Sequence, residues 1–226
     1  MRSPIKLEFS EKYDQQHAQA YFLKHQDGLA RRLSHKRDEH LARRALTLAG
    51  EPGLVLDLPC GAGRFWPLLA EKPNRVIIGA DNSEAMIKTA CAAQPPEVVA
   101  RVRPLQTSAF AIDLPDNSVD SIFCMRLFHH IGQAAHRKTI LDEFQRVSRD
   151  SVILSLWVDG NFKAWRRQKL EQKRRANGEQ GSYQNRFVLP AETVEAEFKA
   201  AGFRIQERLD FLPFYAMWRV YVLRKG

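Results

Sequence analysis

The sequence predicts an α/β protein: a mostly parallel sheet with helices on both faces. Three observations predict it. Strand-length apolar runs alternate with helix-length stretches from residue 54 onward, the pattern of a parallel sheet with crossover helices. The first run, Val55-Leu-Asp-Leu, leads through Gly61-Ala-Gly63 into an apolar-periodic stretch, so strand, glycine turn and helix follow one another. Val152–Trp157 is apolar throughout, as a strand covered on both faces requires.

Each element can be justified in turn. Residues 12–50 contain no proline, and Ala18, Tyr21, Phe22, Leu29, Leu33, Leu41, Ala45 and Leu48 recur near helical spacing, with Gly28 a point of division. Gly50-Glu-Pro-Gly53 stops the helix and launches a strand over Leu54–Leu58. A helix over Arg64–Ala70, a strand over Arg75–Ala80 and a helix over Ser83–Ala93 follow, the last capped by the Ser83 hydroxyl. Pro95-Pro96 precedes a strand near Val98–Thr107. Then come a strand at Val119–Met125, a helix at His136–Val147 and the strand Val152–Trp157. Asn161–Asn185 is polar, basic and glycine-containing, and reads as a helix and loop inserted between sheet elements. Pro190–Ala201 is a helix opening on proline and closing at Gly202. Phe203–Leu212 and Phe214–Arg224 read as an antiparallel hairpin around Pro213. The organisation expected is an N-terminal helical lid over residues 1–50 and one larger domain over 51–226, with a basic insertion at about 161–185.

Composition bounds the function. With 44% hydrophobic and 27% charged residues the chain is ordinary for a soluble protein. Met1-Arg-Ser-Pro-Ile-Lys-Leu-Glu lacks the apolar core of a signal peptide, and no apolar run is long enough to cross a bilayer. Cys60, Cys91 and Cys124 are odd in number and far apart, which favours reduced thiols and a cytoplasmic location over disulfides or a zinc site; no metal is expected. The net charge of +9 points to an anionic partner. It concentrates in Lys163–Arg175, with seven positive charges against one, and more weakly in Arg31-Arg32, Lys36-Arg37 and Arg43-Arg44. Aromatics are sparse in the first cluster, which weakens a single-strand nucleic-acid reading.

The glycine pattern narrows the ligand. The position after Gly63 where a dinucleotide fold repeats glycine holds Trp66, and the phosphate loop GxxxxGK[ST] is absent. What remains is Asp57 at one strand end and Asp81 at the next. A nucleoside without a phosphate anchor needs just this: close backbone approach, and carboxylates for its ribose hydroxyls.

Four motifs then stand in order: Asp57–Gly63, Asp81-Asn82-Ser83 with Met86, Ser108-Ala109 before Leu114-Pro-Asp-Asn-Ser-Val-Asp120, and Arg126-Leu-Phe-His-His-Ile131. As a set they resemble the type 11 class I methyltransferases, the group that includes quinone-ring methyltransferases. The resemblance covers about residues 50–157, extends loosely to Ala201-Gly202-Phe203, and leaves the N-terminal helices unmatched. It implies a Rossmann-like, seven-stranded, mostly parallel sheet with an antiparallel C-terminal hairpin, and S-adenosylmethionine as cofactor. Cys60, Gly61 and Gly63 would pass under its methionyl part, with Asp57 near the amino group. Asp81 and the neighbouring Asn82 would face the ribose, Met86, Ser108 and Ala109 the adenine, and Arg126 the amino-acid end. Pro59 stands where the family has its first glycine, and Ser108 replaces its acid, so ordinary or somewhat weak affinity is expected.

For the acceptor, His129 and His130 are the candidates for a general base, against a purely structural role at the strand end. Arg126 is assigned equally to a substrate anion or to support of the cofactor loop. Tyr13, Trp157 and Arg186 are the expected substrate contacts, Tyr13 from the lid together with Tyr21. The first reading is methyl transfer to a small or lipid-linked acceptor, anionic or phosphorylated, with peripheral membrane contact. Methylation of RNA, tRNA in particular, and a non-catalytic methyltransferase-like binding protein are the alternatives.

Overall fold

A computed structural model describes residues 29–177 and 186–226. Seven strands form one sheet: β1 (Leu54–Asp57), β2 (Val76–Asp81), β3 (Val102–Gln106), β4 (Val119–Cys124), β5 (Ser148–Trp157), β6 (Phe203–Asp210) and β7 (Trp218–Lys225). Their order is β3-β2-β1-β4-β5-β7-β6, and only β7 runs antiparallel to its neighbours. The chain builds outward from β1 to β3, then returns to place β4 on the other side of β1. That reversal leaves a crevice beyond the carboxyl ends of β1 and β4, the usual ligand position in such sheets. Among the described residues, no helix is long and apolar enough to cross a membrane.

Period-two alternation sends neighbouring residues to opposite faces. Val55, Phe123, Ile153 and Val222 pack on one face with α1 (Leu29–Leu48), α2 (Trp66–Leu69) and α3 (Glu84–Ala93). Leu56, Ile122, Val152, Leu154 and Tyr221 face the opposite layer, α5 (Ala134–Val147) and α7 (Ala191–Ala200), through Ile140, Phe144, Val194 and Phe198. Leu41, Ala42, Ala45 and Leu46 of α1 are core residues. Ser83 caps α3 as expected, its Oγ accepting from the Met86 N–H at 3.3 Å.

Several expected boundaries move, β5 starting at Ser148 rather than Val152 and α5 at Ala134 rather than His136 among them. Pro96 does not lead straight into a strand. It occupies the first turn of α4 (Pro96–Val99), where a fixed φ and a missing N–H cost nothing, so β3 starts only at Val102. The helix expected from Arg64 begins at Trp66, because residues before it are held in turns by bonds such as Trp66 N–H to Gly63 O at 3.0 Å. The last strand begins at Trp218 rather than Phe214: Tyr215 and Ala216 N–H groups both donate to Leu212 O, and Phe214 has φ +60°. The basic stretch supplies α6 (Phe162–Ala176).

Candidate functional site

Asp57 ends β1 with 1% of its surface exposed, and its Oδ2 has no hydrogen-bond partner. Burial, and then the charge of Asp81, push its carboxyl well above the ordinary range; the Trp66 indole opposes this without closing to hydrogen-bond geometry. Asp81 is likewise raised by burial, against the pull of the Ser83, Gly61 and Asn82 N–H groups. Its Oδ2 accepts from Gly61 N–H and its Oδ1 from Ser83 N–H, both at 3.0 Å. The second acid therefore clamps the glycine turn, while its oxygens keep lone pairs for further donors.

The turn itself is bare backbone. Gly61 and Gly63 have φ +53° and +69°, which L side chains rarely adopt. A Cβ on Gly63 would also lie 2.9 Å from the Trp66 ring. Pro59 removes one N–H, yet the turn closes, because Cys60 N–H reaches Ala80 O at 2.7 Å and Gly63 N–H reaches Cys60 O at 3.0 Å. The Cys60 thiol is pushed up by burial, with Asp57 adding to it, and so stays protonated. Met86, buried, has its Cε next to Gly61. Ser108 and Ala109 lie half-buried in the turn after β3, where Ser108 Oγ accepts from Phe110 N–H at 3.2 Å. Thr107 N–H to Asp81 O, 3.0 Å, ties that turn to the end of β2. Asn82 is exposed beside it.

A buried carboxylate oxygen lacking a partner, next to a side-chain-free turn at a topological switch point, suits a ligand that brings its own cationic donor. The residues present thus fit the amino-acid end of S-adenosylmethionine.

Past β4 the chain turns sharply at Arg126, φ +67°, whose N–H donates to Ser155 Oγ at 2.9 Å. The Arg126 guanidinium pairs with Asp38 of α1 and lies 5.0 Å from the centre of the Trp218 ring. Arg64, from the glycine turn, reaches the same Asp38 oxygen at 2.7 Å. Of the two roles expected for Arg126, support of the loop is the one with contacts here. A 3-10 turn, Phe128–His130, then carries both histidines. The His129 ring is buried 5.0 Å from Trp157, 4.7 Å from Trp218 and 4.0 Å from His130. Desolvation lowers its pKa to about 2, with His130, Arg186, Arg126 and Arg167 adding to the effect. Arg167 and Arg186 stand 5.0 Å and 5.9 Å from the Trp157 ring centre. His129 Nδ1 and Trp157 Nε1 are buried without partners.

The sequence-predicted cofactor residues other than Arg126 thus gather around the carboxyl ends of β1, β2 and β3, while Arg126, His129, His130, Trp157 and Arg186 gather about the ends of β4 and β5. Tyr13 and Tyr21 lie outside the described residues. Asp38, Arg64, Arg167 and Trp218 were missed. Trp218 faces Trp157 through the β5–β7 register, which a hairpin recognised only by its proline does not fix. Asp38 reads in sequence as a mere dilution of a basic stretch.

Residues 55–151 match the family model described as a methyltransferase domain, somewhat under half of the chain. Comparison with curated proteins gives no match. Among solved structures, magnesium protoporphyrin IX methyltransferase from Synechocystis PCC 6803 with bound SAH superposes with a TM-score of 0.70 at 17% identity, covering 89% of each chain. A SAM-dependent methyltransferase from Aquifex aeolicus gives 0.65 at 18% identity, over 95% of this chain and all of that one. The [4+2]-cyclase SpnF gives 0.61 at 16%, over 82% of each. The chain therefore has the fold of the class I S-adenosylmethionine-dependent methyltransferases, and its residues 55–151 match a methyltransferase-domain model.

Proposed function

We propose that this protein uses S-adenosylmethionine to methylate a small or lipid-linked anionic acceptor in the cytoplasm, and that it belongs with the type 11 branch that its ordered motifs resemble. The observation that carries the cofactor half is the partnerless buried oxygen of Asp57 beside the Gly61–Gly63 turn. When bound, the cofactor supplies an electrophilic methyl group on a sulfonium. Asp57 holds the ammonium, the turn admits the methionyl backbone, Asp81 and Asn82 hold the ribose, and Met86, Ser108 and Ala109 border the adenine. Arg126 and Arg64, held by Asp38, fix the loop against α1. In-line displacement needs alignment and exclusion of water more than covalent help.

The acceptor site belongs beside Trp157 and Trp218. The half-buried Trp218 and the buried Trp157 wall that corner, and Arg167 and Arg186 beside Trp157 set a positive potential that favours an anion. With a pKa near 2, His129 stays neutral and is a poor base, so it positions the aromatic wall. Where the acceptor proton must leave, His130 takes it. The RNA reading has the net charge in its favour and predicts retention on heparin and a steep loss of RNA binding with salt. The test is calorimetric titration with S-adenosylhomocysteine, followed by assay of its release from S-adenosylmethionine with aromatic carboxylates, phosphates and RNA as acceptors. Absence of any binding would overturn the proposal; binding without turnover on any acceptor would favour a non-catalytic role.

A further inference from the structure

Large apolar side chains stand in solvent at one corner of the molecule. Phe214 is 88% exposed and Trp165 51%, with Leu212, Phe162 and Tyr215 about half exposed. They do not belong to one flexible tip. Phe162 N–H donates to Phe214 O at 2.9 Å and Lys163 N–H to Tyr215 O at 3.0 Å, so the start of α6 is stitched to the β6–β7 loop. Phe162 and Tyr215 stack at 5.9 Å with 11° between their planes, and Phe162 and Trp165 lie 5.9 Å apart. Asn161 fixes the helix start, its Oδ1 accepting from Ala164 N–H at 2.9 Å while its Nδ2 donates to Val158 O at 2.7 Å. The main chain carrying these rings is therefore fixed, with a shallow depression lined by Phe162, Trp165, Gln168 and Phe214 and by Asp159 of the preceding turn.

Cations frame the same corner. Lys163 lies 5.0 Å from the Tyr215 ring centre and Lys169 4.2 Å from that of Trp165, and Arg166 and Lys173 are exposed farther along α6. Ala164 is buried, so the helix seats one side on the body and turns Phe162, Trp165 and Lys169 outward. Aromatic rings beside lysines, on a helix stretch with no acidic side chain among Phe162–Leu170 and with the neighbouring Asp159 engaged by Ala191 N–H at 2.9 Å, complement one environment above others. It is the headgroup region of an anionic bilayer, where rings sit at the apolar boundary and ammonium groups meet phosphates.

We propose that this corner docks the protein on anionic phospholipid membranes, with Phe214 and Trp165 entering the interface and α6 lying against the headgroups. Because α6 follows β5, whose last residue is Trp157, docking brings the acceptor side of the crevice next to the bilayer. The inference stands without the methyl-transfer reading.

Flotation of the full chain with phosphatidylcholine–phosphatidylglycerol vesicles, against pure phosphatidylcholine, tests it. Binding is expected only to the anionic vesicles and should fall as salt rises. Lys169→Glu and Lys173→Glu should each lower partition by about fivefold or more. Trp165→Ser with Phe214→Ser should abolish it, while S-adenosylhomocysteine titration and thermal unfolding confirm that the variant is folded. Trp165 fluorescence should shift to the blue on vesicle binding. No binding to anionic vesicles overturns the inference, as does equal binding to neutral ones or binding untouched by the paired serine substitutions. Retention on single-stranded RNA without vesicle binding would assign the surface to nucleic acid instead. Concentration-dependent dimerisation removed by the serine substitutions, again without vesicle binding, would assign it to a second copy.

Discussion

Replacing Asp57 by Asn separates ligand binding from folding in a way few other substitutions here can. In the free protein the Asp57 carboxyl is buried, has one oxygen without a partner, and has a pKa pushed well above its ordinary value near 3.8. A carboxyl with a raised folded pKa binds more protons folded than unfolded. Its contribution to stability is thus fully present below the unfolded value and is lost as pH rises through the folded one. The amide removes that loss, so Asp57→Asn should leave the unfolding temperature of the free protein at pH 7 unchanged or higher. Binding should respond in the opposite sense. A charge-assisted hydrogen bond between the carboxylate and the ligand ammonium is worth about 1.5–3 kcal/mol, so affinity for S-adenosylhomocysteine should drop roughly ten- to hundredfold. Engaging a cation also favours the ionised carboxylate, so wild-type binding should release protons and tighten as pH rises. Calorimetry in two buffers of different ionisation enthalpy reads that release, which the variant should lack. Unchanged affinity, or an unfolding temperature lower by several degrees, would refute the reasoning, since either would mean that Asp57 is satisfied within the protein.

Other substitutions probe the supports of the site. Gly79→Ala would put a Cβ 2.5 Å from Trp66 Cζ2 and 2.8 Å from Val102 Cγ1. It should cost about 1–3 kcal/mol in denaturant unfolding, and an unchanged midpoint would mean the indole can yield. Asp38→Asn leaves Arg64 and Arg126 without their shared carboxylate and should destabilise by about 1–3 kcal/mol, since both guanidinium groups keep some solvent. Combined with Arg126→Met, the loss should be less than additive; full additivity would deny the coupling. In pH–rate profiles, His129→Gln should leave intact any acidic limb falling between roughly pH 5 and 8, because His129 does not titrate there, whereas His130→Gln should move it. Loss of the limb on substituting His129 alone would reverse the assignment.

Much of this arrangement could be read from residue order. Acid, glycine turn and second acid are local features, and a few positions suffice to place Asp57 and Asp81 at adjacent strand ends. The doubled proline was misread because Pro-Pro breaks one element and starts another with equal ease, and only the sheet register shows that β3 begins at Val102. Contacts made across long sequence separations were invisible: Asp38 with Arg126, or Trp157 with Trp218, depends on how α1 and β7 are laid on the sheet. Local periodicity carries no information on such pairings. His129 was legible as a motif residue, but its suppressed basicity comes first from burial, then from His130 beside it and from Arg186, Arg126 and Arg167, and that packing is not readable from local sequence.

The buried face of α1 sets where this protein can be cut. Leu41, Ala42, Ala45 and Leu46 fill one layer of the core with Val55 and Phe123, although they precede the first strand and lie upstream of the recognised domain. A fragment starting at residue 51 would therefore bare an apolar sheet face to water and release Arg64 and Arg126 from the α1 carboxylate they share, Asp38. Any minimal soluble version should retain the chain from Leu29 onward, however neatly the motif boundaries suggest a shorter one.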